Sequence, residues 1–216
     1  MSGKTLLLVA VMVGASSSHA ANLLNNGSFE SPHISDVRYF DLGSTFIDGW
    51  NVVGGQVALV PDTFASLLAS DGHQWMDLTG GTGYGKGLQS NAVSTVLGQT
   101  YTLTFDVGNY VAVGYGTSTL SVSINNGSAI LFTNIVNGSS GMDWERKSLT
   151  WVANATTANL TFLGAANTTL SNDQVIGLDN VVFAAVPVPE PESYAMLLAG
   201  LGLMGAVARR RKSKKA

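Results

Sequence analysis

The strongest constraint on the fold is the strict alternation in Tyr101–Val107, where Tyr101, Leu103, Phe105 and Val107 share one side of the chain and Thr102, Thr104 and Asp106 the other. Side chains that alternate with period two belong to a strand with one face in a core. Ser118–Ile124 repeats the pattern through Leu120, Val122 and Ile124. Asn126-Gly127 then provides the positive-φ turn of a hairpin into Ala129–Ile135. Further strands are expected at Trp50–Val53, Gln56–Val60, Gln74–Leu78, Leu88–Val96, Glu145–Val152, Asn159–Leu163 and Val175–Phe183, with a helical turn at Phe64–Leu68 and a long loop from Asp36 towards Trp50. Trp75 and Trp151 fall within strand patterns and are expected in the core. Nine or ten short strands separated by turns predict an all-β sandwich.

Both ends of the chain depart from this pattern. Lys4, the apolar run Thr5–Gly14 and Ser18-His19-Ala20 before Ala21 have the order of a secretory signal peptide, too short to cross a bilayer. At the other end, Pro187–Ala216 reads PVPEPESYAMLLAGLGLMGAVARRRKSKKA. Its apolar stretch Ser193–Ala208 would span about 24 Å as a helix, short of the roughly 30 Å hydrocarbon layer, and the basic residues beyond it place that end in the cytoplasm. The expected organisation is therefore a signal peptide over 1–20, a sandwich over 21–186 and a C-terminal sorting segment over 187–216.

Charge is distributed unevenly between these parts. From Ala21 to Val186 twelve acidic side chains face Arg38, Lys86, Arg146 and Lys147, a net charge of −8. Phosphate binding needs clustered Lys and Arg, so nucleic acid is excluded as a partner. The chain has no cysteine, so disulfides contribute nothing to an exported domain.

The tail resembles the PEP-CTERM sorting signal in its Pro189-Glu190-Pro191 motif, its glycine-spaced apolar helix and its basic Arg209-Arg210-Arg211. The resemblance implies passage through the Sec translocon and a transient membrane intermediate anchored by one transmembrane sorting helix. It also implies processing near Pro189–Pro191 by an exosortase of a Gram-negative bacterium that makes exopolysaccharide, with delivery to the cell surface or matrix. A second resemblance rests on Asn22-Leu-Leu-Asn-Asn-Gly-Ser-Phe-Glu30, Gly98-Gln-Thr-Tyr-Thr-Leu-Thr-Phe105 and Ile176-Gly-Leu-Asp-Asn-Val-Val-Phe183. These motifs are similar to those of a galactose-binding-like jelly roll, a sandwich shared by many carbohydrate-binding modules. It implies that Glu30 and Asp179 lie close together, where family members often hold a structural calcium, with Asp71 supplying further oxygen ligands.

For a glycan, the chemistry asks for aromatic faces and nearby hydrogen-bonding groups. Tyr84, Tyr110 and Tyr115 in glycine-containing stretches are the expected platforms, with Asp77, Asn109 and Lys86 as polar partners. Gly80–Gly87 (GGTGYGKG) lacks the Lys-Ser/Thr ending of a phosphate loop and reads as a loop. His33 and His73 nominate no catalytic triad. Asp143 and Glu145 would share one strand face, an arrangement that could serve acid–base glycoside chemistry, but Arg146-Lys147 beside them favours a solvated charged edge. The expected function is a non-catalytic exported module that binds or sits in extracellular polysaccharide. The alternatives are a matrix or adhesion protein without a specific glycan and, behind it, a glycoside hydrolase. Intact-mass analysis from the native host is expected to give a chain that begins at Ala21 and lacks Arg209–Lys215; retention of the basic tail would refute processing.

Overall fold

Thirteen strands carry the domain, in a computed structural model that describes residues 21–80, 84–111, 116–136, 141–165, 174–187 and 195–205. In chain order they are β1 (Arg38–Phe40), β2 (Trp50–Val53), β3 (Val57–Pro61), β4 (Gln74–Asp77), β5 (Gly87–Ser90), β6 (Val93–Ser94) and β7 (Thr100–Val111). There follow β8 (Ser118–Ile124), β9 (Ile130–Asn134), β10 (Asp143–Val152), β11 (Thr157–Ala158), β12 (Leu160–Gly164) and β13 (Gln174–Ala185). A six-stranded sheet runs β1-β3-β4-β13-β7-β10 and a five-stranded sheet β2-β5-β12-β8-β9, with β6 and β11 forming a small ribbon. The pairings are antiparallel, and the two sheets face one another as a jelly-roll sandwich.

The alternation predicted from the sequence builds the core. Tyr101, Leu103, Phe105 and Val107 of β7, Ile176 and Leu178 of β13, and Leu59 and Met76 of β3 and β4 are buried against Trp50, Leu88, Leu120, Val122 and Phe162 of the opposite sheet. Phe105 meets Phe132 and Phe162 edge-on, with centroids 5.1 and 5.2 Å apart. Gly87 has no room for a side chain, since a Cβ there would lie 1.8 Å from the Phe162 carbonyl oxygen; a glycine inside a strand commonly marks such a close approach.

The opening segment is sewn onto the end of the last strand. Asn22 Nδ2 donates to the Val181 carbonyl at 3.0 Å, and its Oδ1 accepts the Phe183 N–H at 2.9 Å. The Val181 N–H in turn donates to the Gly27 carbonyl. These contacts fall where the β13–β7 register shifts, between Asp179 and Val182, so the bulge frees backbone groups that the first motif takes up. Phe29 is thereby driven into the core beside Trp50.

Two expectations need correction. No helical turn forms at Phe64–Leu68: Ala65 and Ser66 take φ of 51° and 58°, and the segment is an irregular loop that turns Leu67 into a cluster on the outside of the sheet. The supposed loop after Asp36 contains β1, whose three residues are too short to show a period. Of the segment expected to span a membrane, residues 195–205 are described, and they are helical. Among the described residues no helix is long and apolar enough to cross a bilayer. The unit Ala21–Val186 is distinct from the one that contains this helix.

Replacing Phe162 by Ala removes a ring with contacts to both Trp50 and Phe105 and is expected to cost about 3–5 kcal/mol. This lowers the melting temperature by roughly 10 °C; Thr161→Ala, on the opposite face of the same strand, is expected to shift it little. Equal effects from the two would contradict the sandwich register.

Candidate functional site

The outer face of the six-stranded sheet is where the sequence departs from a plain polar exterior. The register aligns Asp77 of β4, Gly177 of β13, Gly108 of β7 and Trp144 of β10 in one row across four strands. The two glycines make a floor for the indole: a Cβ on Gly108 would lie 2.8 Å from Trp144 Cζ3, and one on Gly177 2.8 Å from Cη2. Trp144 stands edge-on to Trp75, with centroids 6.0 Å apart. Tyr110, Met142 and Val175 pack around Ala58, Val60, Leu67 and Trp75 to form a second apolar cluster. Trp144 and Tyr110 remain half-buried there.

The segment between β3 and β4 covers part of this face, and the sheet holds it by its backbone. The carbonyls of Leu67 and Leu68 accept the indole N–H groups of Trp75 and Trp144, each at 2.9 Å. Asp179 Oδ2 accepts the N–H groups of Ser70 and Asp71, both at 2.8 Å. Glu30 Oε1 accepts those of His73 and Gln74 at 2.7 and 2.9 Å. Gly72 between them has φ +73°, and a Cβ would lie 2.4 Å from Glu30 Oε1, so glycine alone fits there. Beside Asp179, the buried Asp106 accepts Arg146 Nε and Nη2 at 2.5 and 2.8 Å, the Ser70 hydroxyl and the Asn180 side-chain amide.

Three carboxylates on this face titrate abnormally. Burial pushes Asp179 up to about 8, against the pull of the N–H donors of Asp71, Asn180 and Ser70. Burial likewise raises Asp77 to about 6, opposed by its hydrogen bonds from Thr79 and Gly80 and by Lys86. Burial acts on Asp106 too, but the hydrogen bonds from Arg146 and Ser70 more than reverse it and leave that carboxyl below the ordinary range.

The structure disperses the residues that the sequence nominated. Tyr110 and Asp77 share the outer face described above. Lys86 donates Nζ to the Thr79 carbonyl at 3.3 Å, and its stem lies against Gly55. Tyr84 is exposed in the loop ahead of β5. Asn109 turns the other way and is buried: its Nδ2 donates to the carbonyls of Gly116 and Val136, and its Oδ1 accepts the Ser118 hydroxyl. It ties β7 to the start of β8 and the end of β9, away from solvent. Tyr115 and the sorting residues Pro189, Glu190, Pro191, Arg209, Arg210 and Arg211 lie outside the described residues. Of the two tryptophans expected in the core, Trp75 is buried and Trp151 half-buried. Asp143 and Glu145 do share a strand face; Glu145 is paired with Lys147 at 2.6 Å.

Glu30, Asp71 and Asp179 do converge on one loop, but as placed they do not form a calcium shell. Calcium takes six to eight oxygens, and among the described residues no group of three or more His, Cys, Asp or Glu is positioned to hold a metal. Both Asp179 oxygens and one of Glu30 are engaged by backbone N–H groups, while Asp71 joins through its own N–H. These carboxylates act as loop clasps.

Trp144 with its glycine floor is the site element that sequence reasoning passed over. Gly108 and Gly177 inside strands were the available sign, and only the register shows that they are neighbours.

Residues 22–183 match the family described as protein of unknown function DUF642. The chain belongs to that family. Residues 187–212 match the PEP-CTERM protein-sorting motif, which marks this DUF642 protein for export and cell-surface sorting. No curated protein matches it. Among solved structures it is similar to TmCBM61, determined in complex with β-1,4-galactotriose, at 15% identity over 77% of this chain and 100% of that one, with a TM-score of 0.43. It is also similar to the CBM22-1 xylan-binding domain of Paenibacillus barcinonensis Xyn10C, at 18% identity over 70% and 94% of the two chains, TM-score 0.40. An arabinose-bound α-L-arabinofuranosidase, MgGH51, matches at 13% identity over 79% of this chain and 27% of its own, TM-score 0.47.

The folded state keeps the Asp179 proton up to about pH 8, whereas an unfolded aspartate releases it near pH 4. The folded state therefore binds the extra proton between those values, and stability falls as pH rises through them. Asp77 contributes in the same direction only up to about pH 6, and Asp106, held low, contributes below both. The urea midpoint is thus expected to decline from pH 6 to pH 8, and Asp179→Asn to flatten that slope whatever its overall cost. A wild-type midpoint that is constant over this range would refute the protonated clasp. Because the clasps need no cation, EGTA is expected to leave the melting temperature unchanged, and a rise of several degrees with added calcium would restore the metal reading.

Proposed function

We propose that this protein is an exported, non-catalytic module that binds extracellular polysaccharide through the outer face of its six-stranded sheet. The observation that carries the reading is the grouping of half-buried Trp144 and Tyr110 on one sheet face with Asp77 in the same cross-strand row as Trp144. An aromatic face covers the apolar side of a sugar ring, and carboxylate, ammonium and backbone groups meet its hydroxyls; Asp77 and Lys86 supply the first two. Export would proceed through the Sec translocon, with removal of residues 1–20. A transient membrane intermediate would then be processed by an exosortase near Pro189–Pro191, in a Gram-negative envelope. The sorting motif supports that route, and the acidic, cysteine-free composition suits a neutral glycan in an extracellular matrix.

Affinity electrophoresis of the mature chain through a panel of soluble polysaccharides tests the reading. Retardation is expected with at least one of them, weakened about 3- to 10-fold by Tyr110→Ala and unchanged by Thr150→Ala. Trp144→Phe, which keeps a ring on the glycine floor, is expected to retain part of the binding. No retardation by any polysaccharide would overturn the proposal in favour of a matrix protein without a specific glycan. Turnover of model glycosides that disappears in Glu145→Gln would instead make it a hydrolase.

A further inference from the structure

β9 lies at one edge of the five-stranded sheet, and among the described residues it pairs with β8 alone. Soluble proteins guard such edges with charged side chains, proline or bulges. β9 has none of these: it reads ILFTN, its register with β8 is unbroken from Val122↔Ile130 to Ser118↔Asn134, and Ile130 and Leu131 are 43% and 65% exposed. In an antiparallel pair, alternate residues turn their N–H and C=O groups away from the neighbour. The outer side of β9 therefore presents a row of backbone donors and acceptors flanked by apolar side chains.

The distribution of charge indicates the occupant. With a net charge of −8 on the domain, two copies repel one another over most approaches. Yet none of the strands β2, β5, β12, β8 and β9 contains Asp, Glu, Lys or Arg, and Val107–Met142 is uncharged throughout. The outer face of this sheet carries Asn51, Gln89, Thr161 and Ser123 in one cross-strand row, with Gln89 Nε2 donating to Thr161 Oγ1 at 3.0 Å. The nearest acid along the chain beyond β9, Asp143, is reached only at the far end of the strand, where Asn134 Nδ2 donates to its carbonyl.

We propose that β9 pairs antiparallel with the same strand of a second copy of this chain, joining two five-stranded sheets into one sheet of ten strands about a two-fold axis at Leu131. Antiparallel pairing of a strand with itself is isologous and closes as a dimer. An axis at Leu131 sets the most exposed apolar side chain of the strand against its own mate, and Ile130 against Phe132. Apolar cross-strand pairs of this kind stabilise a sheet. The pairing uses the sheet opposite to the proposed glycan face and does not depend on that reading.

Sedimentation velocity of the full chain across the micromolar range is expected to show a mass that doubles with concentration. Leu131→Lys is expected to remain monomeric throughout, with a melting temperature within about 2 °C of wild type. Since the chain has no cysteine of its own, Leu131→Cys gives an independent measure. Directly opposed strand residues stand about 4.5–5.5 Å apart at Cα, within disulfide range, so this variant is expected to form a disulfide-linked dimer under oxidation. Val96→Cys, at a site 68% exposed, is expected to form none beyond background. A wild-type chain that stays monomeric, or equal cross-linking at the two positions, would overturn the proposal. So would a Leu131→Lys variant that keeps its dimer mass and loses polysaccharide retention, since β9 would then be a ligand surface.

Discussion

The contact on which the architecture depends is that of Phe105 with Phe132 and Phe162, where the long strand β7 of one sheet meets two strands of the other. β7 is hydrogen-bonded along its length to β13 on one side and β10 on the other, so whatever fixes its inner face fixes three strands at once. Burial of Tyr101, Leu103, Phe105 and Val107 leaves no freedom in register, because a shift of one residue would bring Thr102, Thr104 and Asp106 into the core. The outer face of the same strands then falls into place as a consequence, with Asp106, Gly108 and Tyr110 turned to the other side.

That outer face is held by polar contacts of unusual depth for an exterior surface. Asp179 and Glu30 grip backbone N–H groups of the segment between β3 and β4, Trp75 and Trp144 grip its carbonyls, and Asp106 with Arg146 ties in Ser70. Buried carboxylates are costly unless satisfied by donors, and here the donors belong to the covering segment. The cost of burial and the placement of the segment are therefore one constraint. It leaves Trp144 and Tyr110 half-covered beside a floor of two glycines, which is the geometry that a flat apolar ligand face would require.

The two sheets divide the electrostatics between them. Every charged strand residue of the domain lies on the six-stranded sheet, whereas the five-stranded sheet is neutral from edge to edge. At the ionic strength of most environments the field of an exposed charge fades through solvent within about 8–10 Å, so a partner at the far edge of the neutral sheet meets the acidic one only weakly. A surface protein can thus meet a glycan on one face and another copy of itself at the edge of the other without the two contacts competing.

Much of the fold was legible because period-two alternation is a local property: β2, β7, β8, β10, β12 and β13 can be read from their own residues, and the hairpin from its Asn-Gly signal, although the turn falls one residue earlier than expected, with Asn125 and Asn126 at φ of 52° and 55° and the Gly127 N–H closing it on the Ile124 carbonyl. β1 was not legible, being too short for a period, nor was the irregular path of Phe64–Leu68, where Leu67 follows an apolar cluster assembled from distant strands. Of the residues nominated from the sequence, Tyr110 and Asp77 share the outer face of the six-stranded sheet, while Asn109, one position from Tyr110, faces inward and fastens loops. Alone, then, the sequence determined most of the strands, the acidic balance and the sorting segment, since each depends on neighbours within a few residues. Only the tertiary structure decided that Gly108 and Gly177 lie side by side under Trp144, and that Glu30 and Asp179 clasp one loop, because cross-strand register and long-range closure bring together residues whose separation in the chain carries no mark of their contact.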